Sequence, residues 1–221
     1  MAEASEEIKI IESCKKKLIE KFITNPDFFL QELDMHCYLY SELLRSPRFT
    51  CQSEMGEISF VHREYPTNLI YAKDKSKIYF PVTHPTRGKQ HGKIDLVILD
   101  TADPKPNERG FCRIKHGIEI KFEARHDVSY YTKDTKQNIF KNIYQDYRKL
   151  TDKENEIRFK HMLYFVKGEV TKFKVLEDIE AHIEAESKSY SGLVDVKLRD
   201  IYFTYIEWNP YESARIIRSF E

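Results

Sequence analysis

One aspartate and one Glu-x-Lys triplet, each set in an apolar run, are the residues of this chain best suited to do chemistry. In GIEIKFEA (117–124), alternation puts Ile118, Ile120 and Phe122 on one face and Glu119 and Lys121 on the other. A carboxylate and an amine on such a strand are costly to bury unless each finds a partner or a metal. In KIDLVILD (93–100), Ile94, Leu96 and Ile98 share a face, and Asp95 points to the other beside Lys93 and Val97. As antiparallel neighbours, these strands would let Asp95 and Glu119 converge on one cation. Two hard carboxylate oxygens suit Mg²⁺ or Mn²⁺, ions that keep waters and bind phosphate oxygens.

The elements that must position these groups follow from periodicity. Residues 5–24 read as a helix, with Ile8, Ile11, Leu18 and Phe22 at helical spacing. Asn25-Pro26-Asp27 predicts a restart, with Asn as cap and Pro in the first turn, and a second helix to about Arg45. Its expected apolar face is Phe29, Leu33, Cys37, Tyr40 and Leu44, with Glu32, His36 and Leu43 alongside. Strands are expected over 57–66, ending at Pro66, and over 93–100, 117–124, 159–168 and about 196–208. KIYFPV (77–82) reads as an edge segment, because Pro81 cannot donate to a central ladder. Helices are expected over 133–150 and about 175–187, with a loop over 101–110. The order predicts a mixed α/β (α+β) domain, a central sheet flanked by helices.

Composition narrows the classes. The chain has 221 residues, 41% hydrophobic and 33% charged, which fits one domain better than two. It is long enough to bury roughly 70% of its unfolded surface without a disulfide or zinc staple. Cys14, Cys37, Cys51 and Cys112 lack CxxC spacing, so reduced thiols and a cytoplasmic setting are expected. The first residues, MAEASEEIKI, carry no apolar core of a secretory signal, and no run is long enough to span a membrane. Lys and Arg number 36 against 36 acids, so net charge does not announce a polyanion binder. The distribution does more: residues 73–93 hold six basic residues against Asp74, or 6 − 1 = +5, whereas 177–186 is acidic.

Asp95, followed 119 − 95 = 24 positions later by Glu119-Ile120-Lys121, resembles the PD-(D/E)xK nuclease superfamily. HGKIDLVILD and GIEIKFEA carry the match, and the order of elements from Asp27 to Lys167 is similar to that family's helix, three antiparallel strands, helix and strand. Ile94 stands where the family often has Pro. The resemblance implies a restriction-endonuclease-like core over 27–167 within one domain spanning 1–221. An N-terminal helical extension (1–25) and a C-terminal helix and strand (168–221) complete it. It further implies that Asp95, Glu119 and the Ile120 carbonyl bind Mg²⁺ (or Mn²⁺), and that Lys121 orients the attacking water. Products would carry a 5′-phosphate and a 3′-hydroxyl. Many members add an acid from the first core helix, and Glu32 matches; Glu42, the competitor, reads as solvated.

Other residues have two readings. His36 reads first as a core or rim histidine, and second as a ligand of the kind found in Mn²⁺-preferring cap-snatching endonucleases of this superfamily. Lys89, His91 and Lys93 lead into Asp95 and are expected to touch nucleic-acid phosphate. Glu64 reads as a strand-end salt bridge, Gln145 as a sheet-facing helix residue, and Tyr130-Tyr131 as packing or as a stacking platform. The expected function is metal-dependent hydrolysis of phosphodiesters, in DNA before RNA. A homodimer or partner protein is expected to supply specificity. The alternatives are a non-catalytic DNA-binding or assembly module of the same fold and an Mn²⁺-dependent RNA endonuclease.

Overall fold

The computed structural model describes residues 2–53, 56–73, 79–81, 89–100, 112–124, 143–151, 155–168, 181, 201–208 and 214–218. Helix α1 is Ala2–Thr24 and α2 is Glu32–Leu44. The strands are β1 (Thr50–Ser53), β2 (Gly56–Ser59), β3 (Val61–Lys73), β4 (Tyr79–Pro81), β5 (Lys89–Leu99), β6 (Ile114–Ala124), β7 (Phe159–Lys167), β8 (Tyr202–Trp208) and β9 (Arg215–Arg218). Residues 143–151 form a helix, α3. The expected helices at 133–142 and 175–187, the loop at 101–110 and Tyr130-Tyr131 lie outside the described residues, apart from position 181.

β1 and β2 form a small hairpin, and the other seven strands form one sheet in the order β4-β3-β5-β6-β7-β8-β9. β3, β5 and β6 pair antiparallel, whereas β6, β7 and β8 run parallel. Apolar side chains leave both faces of the central strands, as a sheet covered on both sides requires. On one face α1 and α2 bury Ile11, Leu18, Phe22, Met35, Leu39 and Leu43 against Leu96, Ile98, Ile118, Ile120, Leu163 and Phe165. On the other, Ile143, Tyr147 and Leu150 of α3 pack on Val97, Met162, Tyr164 and Phe203. The fold is therefore mixed α/β, and α1 shares with α2 the helical layer on one face of the sheet. Among the described residues, no helix is long and apolar enough to cross a membrane.

The structure corrects several expectations. The Asn25-Pro26 signal produces only a 3₁₀ turn, Pro26–Phe28, and the chain then extends at Phe29. The second helix starts later, at Glu32, because Asp34 Oδ2 accepts the amides of Leu30 (2.8 Å) and Gln31 (3.1 Å), completing a capping box. Its buried face is Met35, His36, Leu39, Glu42 and Leu43, while Leu33 and Cys37 of the expected stripe are exposed. Glu42, read as solvated, is buried and pairs with Lys17 at 2.7 Å and with Arg45.

Pro66 does not end its strand. β3 continues to Lys73 through a shift in register between Pro66 and Ile70, so the ladder is interrupted where the missing N–H falls. The expected alternation along β5 also slips. Ile94 packs in the α3-side core with Val97, whereas Leu96 and Ile98 pack under α1 and α2. The slip falls at Asp95, between the pairs Arg63↔Leu96 and Tyr65↔Ile94. Glu64, which stands between Arg63 and Tyr65, has a left-handed backbone (φ 51°). That conformation is uncommon for a residue with a side chain and re-aims the strands around it.

Candidate active site

The β5–β6 ladder runs from Leu99↔Ile114 to Leu96↔Ile118, and among the described residues no pair continues it toward Asp95 and Glu119. Beyond that point, among the described residues, β7 is the strand that pairs with β6, in parallel through Ala124↔Lys167. Where the two strands part, Asp95 Oδ2 accepts the Ile120 amide at 2.8 Å, standing in for a ladder carbonyl. Both residues of the sequence-predicted pair, Asp95 and Glu119, are buried here.

α2 adds two groups from above. Glu32 and His36 are one turn apart on the face that meets the sheet, and the capping box at Gln31 fixes where that face begins. His36 Nε2 lies 3.5 Å from Asp95 Oδ2 and 3.9 Å from Glu32 Oε1. Ligand atoms of Glu32, His36 and Asp95 all fall within 4.8 Å of one another. His36 is 3% exposed, yet neither ring nitrogen makes a hydrogen bond. A buried imidazole in that state wants a partner, and two carboxylates beside it define what kind.

Lys121 closes the arrangement on the far side. Its Nζ is 3.2 Å from Glu32 Oε1 and 3.4 Å from Asp146 Oδ2, and the Phe122 amide reaches Glu32 Oε2 at 3.4 Å. Burial alone would lower the lysine's pKa, but Asp146, Asp95, Glu32 and Glu119 outweigh it and push it above its ordinary value. Lys121 is thus a fixed ammonium donor.

Glu119 is set apart from the Glu32–His36–Asp95 group. It is fully buried and paired with Lys149, whose Nζ is 2.8 Å from each of its oxygens. Burial first, and then the charge of Asp95, drives the Glu119 carboxyl well above the usual carboxylate range. Lys149 also contacts Asp146 Oδ1 at 2.8 Å. Burial opposes the Asp146 charge, but Lys149 and Lys121 hold its pKa below the ordinary value.

Four carboxylates (Glu32, Asp95, Glu119, Asp146) face two lysines (Lys121, Lys149), so fully ionised the group carries −4 + 2 = −2. One divalent cation balances that charge. An oxygen, nitrogen, oxygen donor set from Glu32, His36 and Asp95 could hold such an ion.

Asp146 and Lys149 escaped the sequence reading. The signal was present: they sit three residues apart on α3, inside the buried stripe of Ile143, Tyr147 and Leu150. Gln145 on the same helix is only half-buried. Of the expected phosphate contacts, the side chains of Lys89 and His91 lie outside the described residues. Lys93 is exposed and 3.4 Å from Glu64, the salt bridge expected of that glutamate, though Glu64 lies within β3 and not at a strand end. No family model matches the chain, and no curated protein or solved structure matches it.

Proposed function

We propose that this protein is a metal-dependent nuclease of the PD-(D/E)xK, restriction-endonuclease-like kind, acting on phosphodiester bonds. The observation that carries the reading is the meeting of Glu32, His36 and Asp95 within 4.8 Å, with Lys121 on Glu32. A bare structural salt-bridge cluster would not leave a buried histidine without a hydrogen bond in its centre.

Glu32, His36 and Asp95 would hold the ion, and the resemblance adds Glu119 and the Ile120 carbonyl. Bound there, a divalent cation supplies Lewis-acid polarisation of a phosphoryl oxygen. The chain supplies the rest. Asp95 is aimed by the Ile120 amide and needs no reorganisation. Lys121, an ammonium in a fixed position, orients the attacking water and donates toward the phosphate. The water oxygen bonds to phosphorus, the P–O3′ bond breaks, and the 3′ oxygen leaves as a hydroxyl, its proton balancing the one the water gives up.

DNA is the first substrate of this reading, on the family resemblance. His36 favours a second: an Mn²⁺-preferring RNA endonuclease, because an imidazole among the donors disfavours Mg²⁺. A cleavage assay on circular duplex DNA, single-stranded circular DNA and RNA, with Mg²⁺ or Mn²⁺, tests both. Metal-dependent cutting that Asp95→Ala and Lys121→Ala each abolish is the expected result, and the substrate cut decides between the two. No cutting of any substrate, together with no metal-induced rise in melting temperature, overturns the nuclease.

A further inference from the structure

Lys149 touches four oxygen atoms with one nitrogen: both Glu119 oxygens and Asp146 Oδ1 at 2.8 Å, and the Lys93 carbonyl at 3.1 Å. Two of its partner side chains are buried carboxylates, 0% and 4% exposed. An all-oxygen surround of this kind, rich in carboxylate, is what a hard cation takes. Phosphoryl-transfer sites that use two metals place the second ion about 3.5–4 Å from the first, bridged by acids. Here one position along the acidic group is filled by an ammonium, and the other, at Glu32, His36 and Asp95, holds a histidine whose nitrogens are without hydrogen bonds.

The charge count agrees. Fully ionised and with both lysines in place, the group carries −2, enough for one divalent ion; two ions would leave an excess of +2 in a buried setting. We propose that Lys149 is a built-in replacement for a second metal: its ammonium occupies the second cation position and fixes Glu119, so the protein binds a single divalent ion. Lys149 is a positioning residue, acting through Glu119 and Asp146. This rests on the metal-dependent reading given above.

The test counts ions on the full chain without nucleic acid, by titration calorimetry with Mn²⁺ and by the electron paramagnetic resonance of the bound ion. The wild type is expected to bind one Mn²⁺ with the spectrum of an isolated ion. Lys149→Ala empties the second position and is expected to bind two, with the spectrum broadened by coupling between neighbouring ions. Lys149→Arg restores the cation and is expected to return the count to one, which a merely structural lysine would not do. Two ions in the wild type, or one in a folded Lys149→Ala variant, overturns the proposal and leaves the metal-dependent reading standing. No Mn²⁺ bound by the wild type overturns that reading itself, and this proposal with it. Should Lys149→Ala fail to fold, the wild-type count decides alone: one supports the proposal and two overturns it.

Discussion

Asp95 and Ile120 are joined at the point where their strands have ceased to pair. The Ile120 amide gives its hydrogen to Asp95 Oδ2 at 2.8 Å, just past the last ladder pair, Leu96↔Ile118. One side chain therefore satisfies a buried backbone donor and faces His36 with the same oxygen. The two duties separate by mutation.

Asp95→Asn keeps an oxygen for the Ile120 amide and loses the negative charge beside His36. Its stability in metal-free buffer is expected to stay within about 1–2 kcal/mol of wild type, the scale of one hydrogen bond to a charged acceptor. A Mn²⁺-induced rise in melting temperature is expected for the wild type and is expected to be absent in this variant. Thermal melts with and without Mn²⁺ check it; an unchanged Mn²⁺ response would remove Asp95 from the donor set.

Lys121→Met keeps the stem and deletes the ammonium between Glu32 and Asp146. Cleavage is expected to fall by about 10²–10⁴-fold, the usual worth of a positioned proton donor. Mn²⁺ binding, measured by calorimetry, is expected to persist. Lost binding with a folded chain would assign Lys121 to the metal's support instead.

A second buried polar group makes stability depend on pH. His116 Nδ1 is 3.2 Å from His161 Nε2, and His116 Nε2 is 3.4 Å from Glu7 Oε2; both rings are fully buried. Burial is the main cause of their lowered pKa values, His116 falling to about 4 despite Glu7, with Lys115 and Arg158 assisting. His161, facing Lys15 and His116, is pushed well below its ordinary value. In the unfolded chain these histidines bind protons near pH 6.5; in the folded chain His116 does so only near pH 4, and His161 only well below its ordinary range. Between those limits the unfolded state holds more protons, so stability falls as the pH drops from about 6.5 toward 4. The His116 part is worth roughly 3 kcal/mol across that window. Urea unfolding at pH 7 and pH 5 should show the loss, and His161→Phe should reduce it to the His116 part.

Gly117 seats α3 on the sheet. A methyl there would stand 3.1 Å from Leu150 Cδ2 and from two carbons of Ile157. Gly117→Ala is expected to cost about 1–3 kcal/mol, as overpacked cores do. Because Leu150 follows Lys149, the same change is expected to weaken Mn²⁺ binding; denaturant melts and calorimetry read the two effects separately.

The sheet was legible because its strands obey simple periods. The runs at 93–100, 117–124 and 159–168 announced β5, β6 and β7, and Pro81 announced an edge strand. Helix α2 was legible in existence but not in phase. Asn25-Pro26 is a strong local start signal, yet Pro26 and Phe29 are buried, and Asp34 offered a better cap downstream. That delay decides which residues face the sheet, and hence that Glu32 and His36 arrive together. Asp95, Glu119 and Lys121 were visible as polar residues in apolar strands. Asp146 and Lys149 were not, because an i,i+3 pair on a helix reads by default as a solvated face. β9, four residues long at the sheet's other end, carries too little pattern to stand out.

The Lys121–Glu32 contact spans 89 residues of chain, and Lys149–Glu119 spans 30. β6, which carries Glu119 and Lys121, is backed by strands that follow it in sequence, β7 and β8. During synthesis the ribosome therefore releases every acid and lysine of the group before β7 and β8, the strands that complete the sheet behind β6. Loops of that length must close, and a parallel pairing must form, before the charges meet. A half-made copy therefore carries these charged residues without the later strands that back the one bearing Glu119 and Lys121.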